Sequence, residues 1–189
     1  MEYLYHGSCM AGITKLQAIS RLHNTQELVV YLTDFVPYAL YFIWDIEHNL
    51  YQGKFVTGSI RDGIAYYEEV FPNQLKELYQ GVSGYLYCIE KNDDFQPVVG
   101  REGMYCSHKE ANIAKVIKIA DVYEELLKYE AMGKFIVLRY NEQKEERQRE
   151  LVEKYANFIK MKNFFQDNEN KRGFYQRYLT ESWALAEKM

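Results

Sequence analysis

The chain has 189 residues, 48% of them apolar and 26% charged, with a formal net charge of −4. That length suffices for one domain with a full core, the charge argues against a general nucleic-acid binder, and no apolar run approaches the roughly 18 residues of a membrane span. Three cysteines, an odd number without metal-ligand spacing, suit a reduced, cytoplasmic setting, and the opening MEYLYHGS does not read as a signal peptide.

Eighteen tyrosines and ten phenylalanines favour a β-rich first part, because aromatics fit a pleated, half-buried surface. Charge is uneven. Residues 1–100 hold six Lys/Arg against twelve Asp/Glu, and residues 101–189 hold 17 against 15, so any basic partner surface belongs near the C-terminal end.

Glu2–His6 is β-prone and reads as a first strand, which Gly7-Ser8 should break. Ala11–Leu22 is short and amphipathic or irregular, ending in the polar run His23-Asn24-Thr25. Leu28–Leu32 is apolar and β-branched, a buried strand. Thr33 and Asp34 are N-cap types, Pro37 is tolerated in a first turn, and Ala39, Phe42, Ile43 and Ile46 recur at helical spacing. One helix should run from there to His48-Asn49.

From Gly53 to Ile119 the sequence is strand-like and punctuated by turns. Phe55–Ile60 and Ile64–Glu68 flank Arg61-Asp62-Gly63, whose Asp-Gly marks a hairpin. A short helix follows Pro72 through Leu75 and Leu78 and stops at Gly81. Strands fit Tyr85–Glu90, Val98-Val99, Met104–Ser107 and Ala114–Ile119, with a turn at Asn92-Asp93-Asp94.

Asp121 and Glu124 form a capping-box-like start for a helix that Gly133 should end. Lys134–Tyr140 reads as the last strand. Glu142–Lys162 is an amphipathic helix with a solvated charged face, and Lys171–Met189 is another helix after the polar turn Gln166–Asn170. Strands cluster without βαβ alternation, which predicts an α+β fold with antiparallel sheets. A domain over residues 1–140 would carry a C-terminal helical extension over 141–189. Neither a GxGxxG nor a GxxxxGKS/T motif is present.

Three stretches carry candidate chemistry. Tyr5-His6-Gly7-Ser8 puts a histidine at a strand end beside a glycine that permits close approach of a ligand to the backbone. Val30-Tyr31-Leu32-Thr33-Asp34 leads into a segment bearing Tyr38 and Tyr41. Arg101-Glu102-Gly103 sets a carboxylate just before a short apolar strand. Cys106 and His108 are too close along one strand to form a catalytic dyad, and His23 and His48 fit turn or surface positions.

In order and context these stretches resemble the H-Y-E branch of the ADP-ribosyltransferase superfamily, the poly(ADP-ribose) polymerase and diphtheria-toxin type. The resemblance covers roughly residues 3–140 and implies split antiparallel sheets with flanking helices. It implies that His6 contacts a ribose hydroxyl of NAD, that Gly7 and Ser8 line the NAD site, and that Tyr31 and Tyr41 sandwich the nicotinamide ring. It implies that Glu102 stabilises the oxocarbenium-like transition state as nicotinamide leaves. Glu110, Glu68 and Glu90 are alternatives for that carboxylate. Tyr38 stands where the family usually has a nicotinamide-contacting serine.

The implied activity is transfer of ADP-ribose from NAD, the substrate, to a protein or nucleic-acid acceptor or to water. A module that keeps the fold and binds NAD, ADP-ribose or a protein without chemistry is the alternative. RNA 2′-phosphate transfer, the activity of a related NAD-using branch, suits the acidic first hundred residues less well.

Overall fold

The computed structural model describes residues 2–22, 25–49 and 54–189. In chain order the strands are β1 (Tyr3–Ser8), β2 (Lys15–Leu16), β3 (Ser20–Arg21), β4 (Leu28–Thr33), β5 (Gly58–Arg61), β6 (Ile64–Glu68), β7 (Gly84–Glu90), β8 (Gln96–Pro97), β9 (Met104–Ser107), β10 (Ala111–Asn112), β11 (Lys115–Ile119) and β12 (Phe135–Leu138). The helices are α1 (Val36–Leu40), α2 (Ile46–Asn49), α3 (Gln74–Tyr79), α4 (Val122–Ala131), α5 (Glu145–Met161), α6 (Glu169–Tyr178) and α7 (Thr180–Lys188).

The fold is α+β. The main sheet runs β11-β7-β1-β4-β9-β8, with β3 on β4, and every pairing in it is antiparallel. A second sheet, β12-β6-β5, contains one parallel pair, Phe135–Leu138 beside Ala65–Glu68. The short strands β10 and β2 pair separately.

Local chemistry explains the clearest elements. Asp62 and Gly63 both take left-handed dihedrals, φ 51° and 73°, which a two-residue hairpin of matching twist requires. Asp121 caps α4, its Oδ1 accepting the Glu124 N–H at 3.1 Å, while its Oδ2 accepts the Gly81 N–H at 2.8 Å. Gly133, at φ 69°, follows that helix.

Other elements depart from the sequence expectation. β1 continues through Gly7 and Ser8, which pair with Leu86 and Tyr85. The single helix expected after Thr33-Asp34 is two short ones, because Phe42 and Ile43 donate to carbonyls three residues back, at Ala39 and Leu40, and the turn is not propagated. Gln96-Pro97, rather than Val98-Val99, pairs with β9. The last helix is split at Leu179, whose φ of −119° and ψ of 46° separate α6 from α7. The polar run at His23-Asn24 and the start of the strand-rich region at Gly53 lie outside the described residues.

Two apolar clusters hold these elements. One lies on the face of the main sheet that carries Leu4, Leu32, Tyr87 and Ile89, covered by Leu16, Phe95 and Ala111. The larger one joins α1, the second sheet and α3–α4 to the C-terminal helices through Leu151, Ile159, Phe174 and Trp183. Residues 141–189 therefore complete the core of the preceding region. No helix among the described residues is long and apolar enough to cross a membrane.

Candidate functional site

The main sheet is split in its middle. β1 pairs with β7 over six residues and β4 with β9 over four, yet β1 and β4 meet only at Tyr5 and Thr33. Beyond that pair the strands part, and a cleft of about 360 Å³ opens on the gap. This volume lies within the roughly 300–1,000 Å³ range of small-molecule sites. Tyr5, His6 and Gly7 line it from β1, and Tyr31, Leu32 and Thr33 from β4. Tyr38, Ala39 and Phe42 close it from α1 and the turn after it.

His6 spans the gap. Its Nδ1 lies 3.3 Å from the main-chain oxygen of Tyr31. A carbonyl can only accept, so Nδ1 carries the proton and Nε2 offers a lone pair. Burial, aided by the nearby Lys54 charge, lowers the pKa of the imidazole against the opposing pull of that hydrogen bond. His6 is thus neutral at pH 7, an acceptor suited to a hydroxyl.

The rim is cationic. Arg21, Lys54 and Arg101 all line the cleft, and among the described residues no aspartate or glutamate does. None of the three has a carboxylate ion-pair partner among the described residues. In a chain of net charge −4 this is a local reversal of sign. Lys54 lies 5.4 Å from the Phe42 ring centroid, and its surroundings lower its pKa by desolvation. Burial raises the pKa of the Tyr38 phenol, with Arg101 pulling the other way.

The residues singled out in the sequence divide here. His6, Gly7 and Tyr31 meet at the cleft; Ser8, Tyr41 and Glu102 are not among its lining residues. The Ser8 hydroxyl accepts the Met10 N–H at 3.2 Å. Tyr41 is a core residue, fully buried, its hydroxyl donating to the Tyr66 carbonyl at 3.2 Å and its ring filling the space where a Gly58 side chain would stand. The structure thus does not bring Tyr31 and Tyr41 together at this cleft; Tyr38, three residues earlier, lines it. Gly7 is needed for packing. A Cβ there would lie 2.0 Å from the Ala39 carbonyl oxygen, so the glycine admits α1 against β1.

Glu102 also lies outside this lining. Its Oε2 accepts the Asp62 N–H at 3.0 Å and its Oε1 the Gly63 N–H at 2.7 Å, at the tip of the β5–β6 hairpin. The alternatives are also elsewhere. Glu68 takes a bidentate pair of hydrogen bonds from Arg147, Glu110 binds Lys15, and Glu90 is exposed at the end of β7.

Comparison with protein-family models, curated proteins and solved structures gives no match. Function therefore rests on the cleft. Among the described residues no group of three or more His, Cys, Asp and Glu side chains is arranged to hold a metal ion.

The sequence motifs leave out Arg21, Lys54 and Phe42, and carry Tyr38 and Arg101 only as neighbours of Tyr41 and Glu102. The one available signal was scarcity. Residues 1–100 contain only six cations, and two of them, Arg21 and Lys54, line this cleft.

Proposed function

We propose that the cleft binds NAD or ADP-ribose and that the protein is a binding module of the ADP-ribosyltransferase type rather than an active transferase. The observation that carries this reading is the lining: among the described residues it holds three cations without carboxylate partners, aromatic side chains, a neutral histidine, and no acid. A pyrophosphate needs cations, and Arg21, Lys54 and Arg101 supply them. A nicotinamide or adenine ring needs an aromatic or apolar slot, and Tyr31, Tyr38 and Phe42 offer one. A ribose hydroxyl donates well to the bare Nε2 of His6.

Bond cleavage does not suit this lining. Loss of nicotinamide builds positive charge on the sugar, which a carboxylate within the cleft would have to stabilise. The lining contains none, and its three cations would oppose that charge. This lining supports binding without transfer.

Calorimetry with ADP-ribose and NAD, alongside an assay for nicotinamide release, tests this. Saturable binding of both nucleotides without release is expected. Release that disappears in Glu102→Gln would reinstate the transferase with Glu102 as its carboxylate. The absence of binding, with no nucleotide-dependent thermal shift, would remove the nucleotide reading altogether.

A further inference from the structure

We infer that Glu102 is a positioning residue, which sets Arg101 at the cleft by gripping the tip of the β5–β6 hairpin. The inference rests on the nucleotide-binding reading for its ligand, but its structural basis is separate.

The turn at Asp62-Gly63 presents two successive N–H groups from left-handed residues, a small concave nest suited to an anion. Glu102 fills it, one carboxylate oxygen on each N–H, at 3.0 and 2.7 Å. Both hydrogen bonds are charge-assisted, and together they fix the carboxylate in orientation as well as position.

Arg101 is the residue before. Its loop is closed on itself by three main-chain hydrogen bonds: Val98 N–H to Met104 O at 2.8 Å, Arg101 N–H to Val98 O at 3.1 Å, and Met104 N–H to Arg101 O at 3.3 Å. On one side it is anchored at Gly103, whose carbonyl accepts the Asp34 N–H at 3.2 Å and whose missing side chain leaves room for the Phe35 ring. On the other side the anchor is Glu102 on the hairpin. Arg101 stands beside this second anchor, with its side chain at the cleft.

The grip has a second effect. Glu102 is the carboxylate nearest to Arg101 in sequence, and an unheld glutamate there would compete with a phosphate for the guanidinium. Held by the turn, Glu102 is engaged elsewhere, and Arg101 has no carboxylate ion-pair partner among the described residues.

The test is a double-mutant cycle on the full chain, with ADP-ribose as probe. Arg101→Ala and Glu102→Ala should each weaken binding about tenfold, with Glu102→Gln intermediate because it keeps one acceptor oxygen. The double variant should bind no more weakly than Arg101→Ala alone. Unchanged affinity in Glu102→Ala, or fully multiplicative losses in the double variant, would overturn the assignment. If the wild-type protein does not bind ADP-ribose, the nucleotide reading fails and the grip is judged without ligand. Backbone amide relaxation of residues 98–103 should then show a loop loosened by Glu102→Ala; unchanged relaxation would overturn the grip itself.

Discussion

His6 and Tyr31 bridge two strands that have stopped pairing. The imidazole Nδ1 stands 3.3 Å from the Tyr31 carbonyl oxygen, with His6 next to Tyr5 and Tyr31 two residues before Thr33, the partners of the single β1–β4 pair. A side chain thus satisfies a carbonyl that an intact sheet would have satisfied with a main-chain N–H. This lets the sheet divide without an orphaned acceptor, and it fixes the tautomer that faces the cleft.

That arrangement predicts a pH dependence of stability. The pKa of His6 in the folded protein is below its ordinary value of about 6.5. Above about pH 6.5 the ring is neutral in both folded and unfolded chains and costs nothing. As pH falls below that value the unfolded chain gains a proton that the folded chain refuses, so stability is lost until the folded pKa is reached. His6→Gln should therefore show a shallower fall in melting temperature between pH 7 and 5 than the wild type. Parallel curves would mean that His6 titrates alike in both states. Nucleotide affinity should fall only at the lower pH where the folded ring itself takes the proton, because protonation removes the Nε2 acceptor.

Gly7→Ala separates packing from ligand approach. The new methyl would meet the Ala39 carbonyl oxygen at 2.0 Å and the Ile43 side chain at 3.0 Å. Backbone cannot yield cheaply, so the variant should lose about 1–3 kcal/mol of stability or more in urea unfolding. A variant as stable as the wild type with impaired nucleotide binding would return Gly7 to the role of a ligand platform.

The two tyrosines around α1 should respond in opposite ways. Tyr41→Phe removes one partly buried hydrogen bond, to the Tyr66 carbonyl, and should cost about 1 kcal/mol while leaving ADP-ribose affinity unchanged. Tyr38→Ala removes an aromatic wall of the cleft and should weaken binding. Calorimetry paired with urea unfolding on both variants reads the difference. Loss of binding in Tyr41→Phe with stability intact would place that phenol at the ligand after all.

How much of this was legible in the sequence depended on the range of the forces involved. The Asp62-Gly63 hairpin and the Asp121 cap are set by a few adjacent residues, and both were readable. β1, β4, β7 and β9 were readable as strands because β-branched and aromatic residues concentrate there. The parallel pairing of β12 with β6 joins residues about seventy positions apart, and nothing local encodes it. That Tyr38 rather than Tyr41 lines the cleft goes with the packing of the Tyr41 ring against Gly58, seventeen positions on, which helical spacing does not reveal. Glu102 was legible as an unusual carboxylate beside a glycine; its engagement by a hairpin forty positions earlier was not.

The two tryptophans test whether the C-terminal helices fold with the rest. Trp44 follows α1 and packs on Tyr79 and Phe174, with ring centroids 6.2 and 6.4 Å away. Trp183 lies in α7, edge-on to Phe165 at 4.8 Å, its indole N–H donating to Glu187. Between them Phe55 touches Tyr155 and Phe174, at 5.5 and 5.4 Å, so one aromatic cluster links the second sheet's approach segment to α5 and α6. An appendage docked on a finished core would unfold separately, whereas a shared core should melt as one. Trp44→Phe and Trp183→Phe each leave a single reporter. In each variant, tryptophan fluorescence and far-UV circular dichroism should give coincident urea transitions. Phe174→Ala should move both reporters together, by about 3–5 kcal/mol. A Trp183 signal that changes at lower urea than the bulk helical signal would show that residues 141–189 are an independent layer.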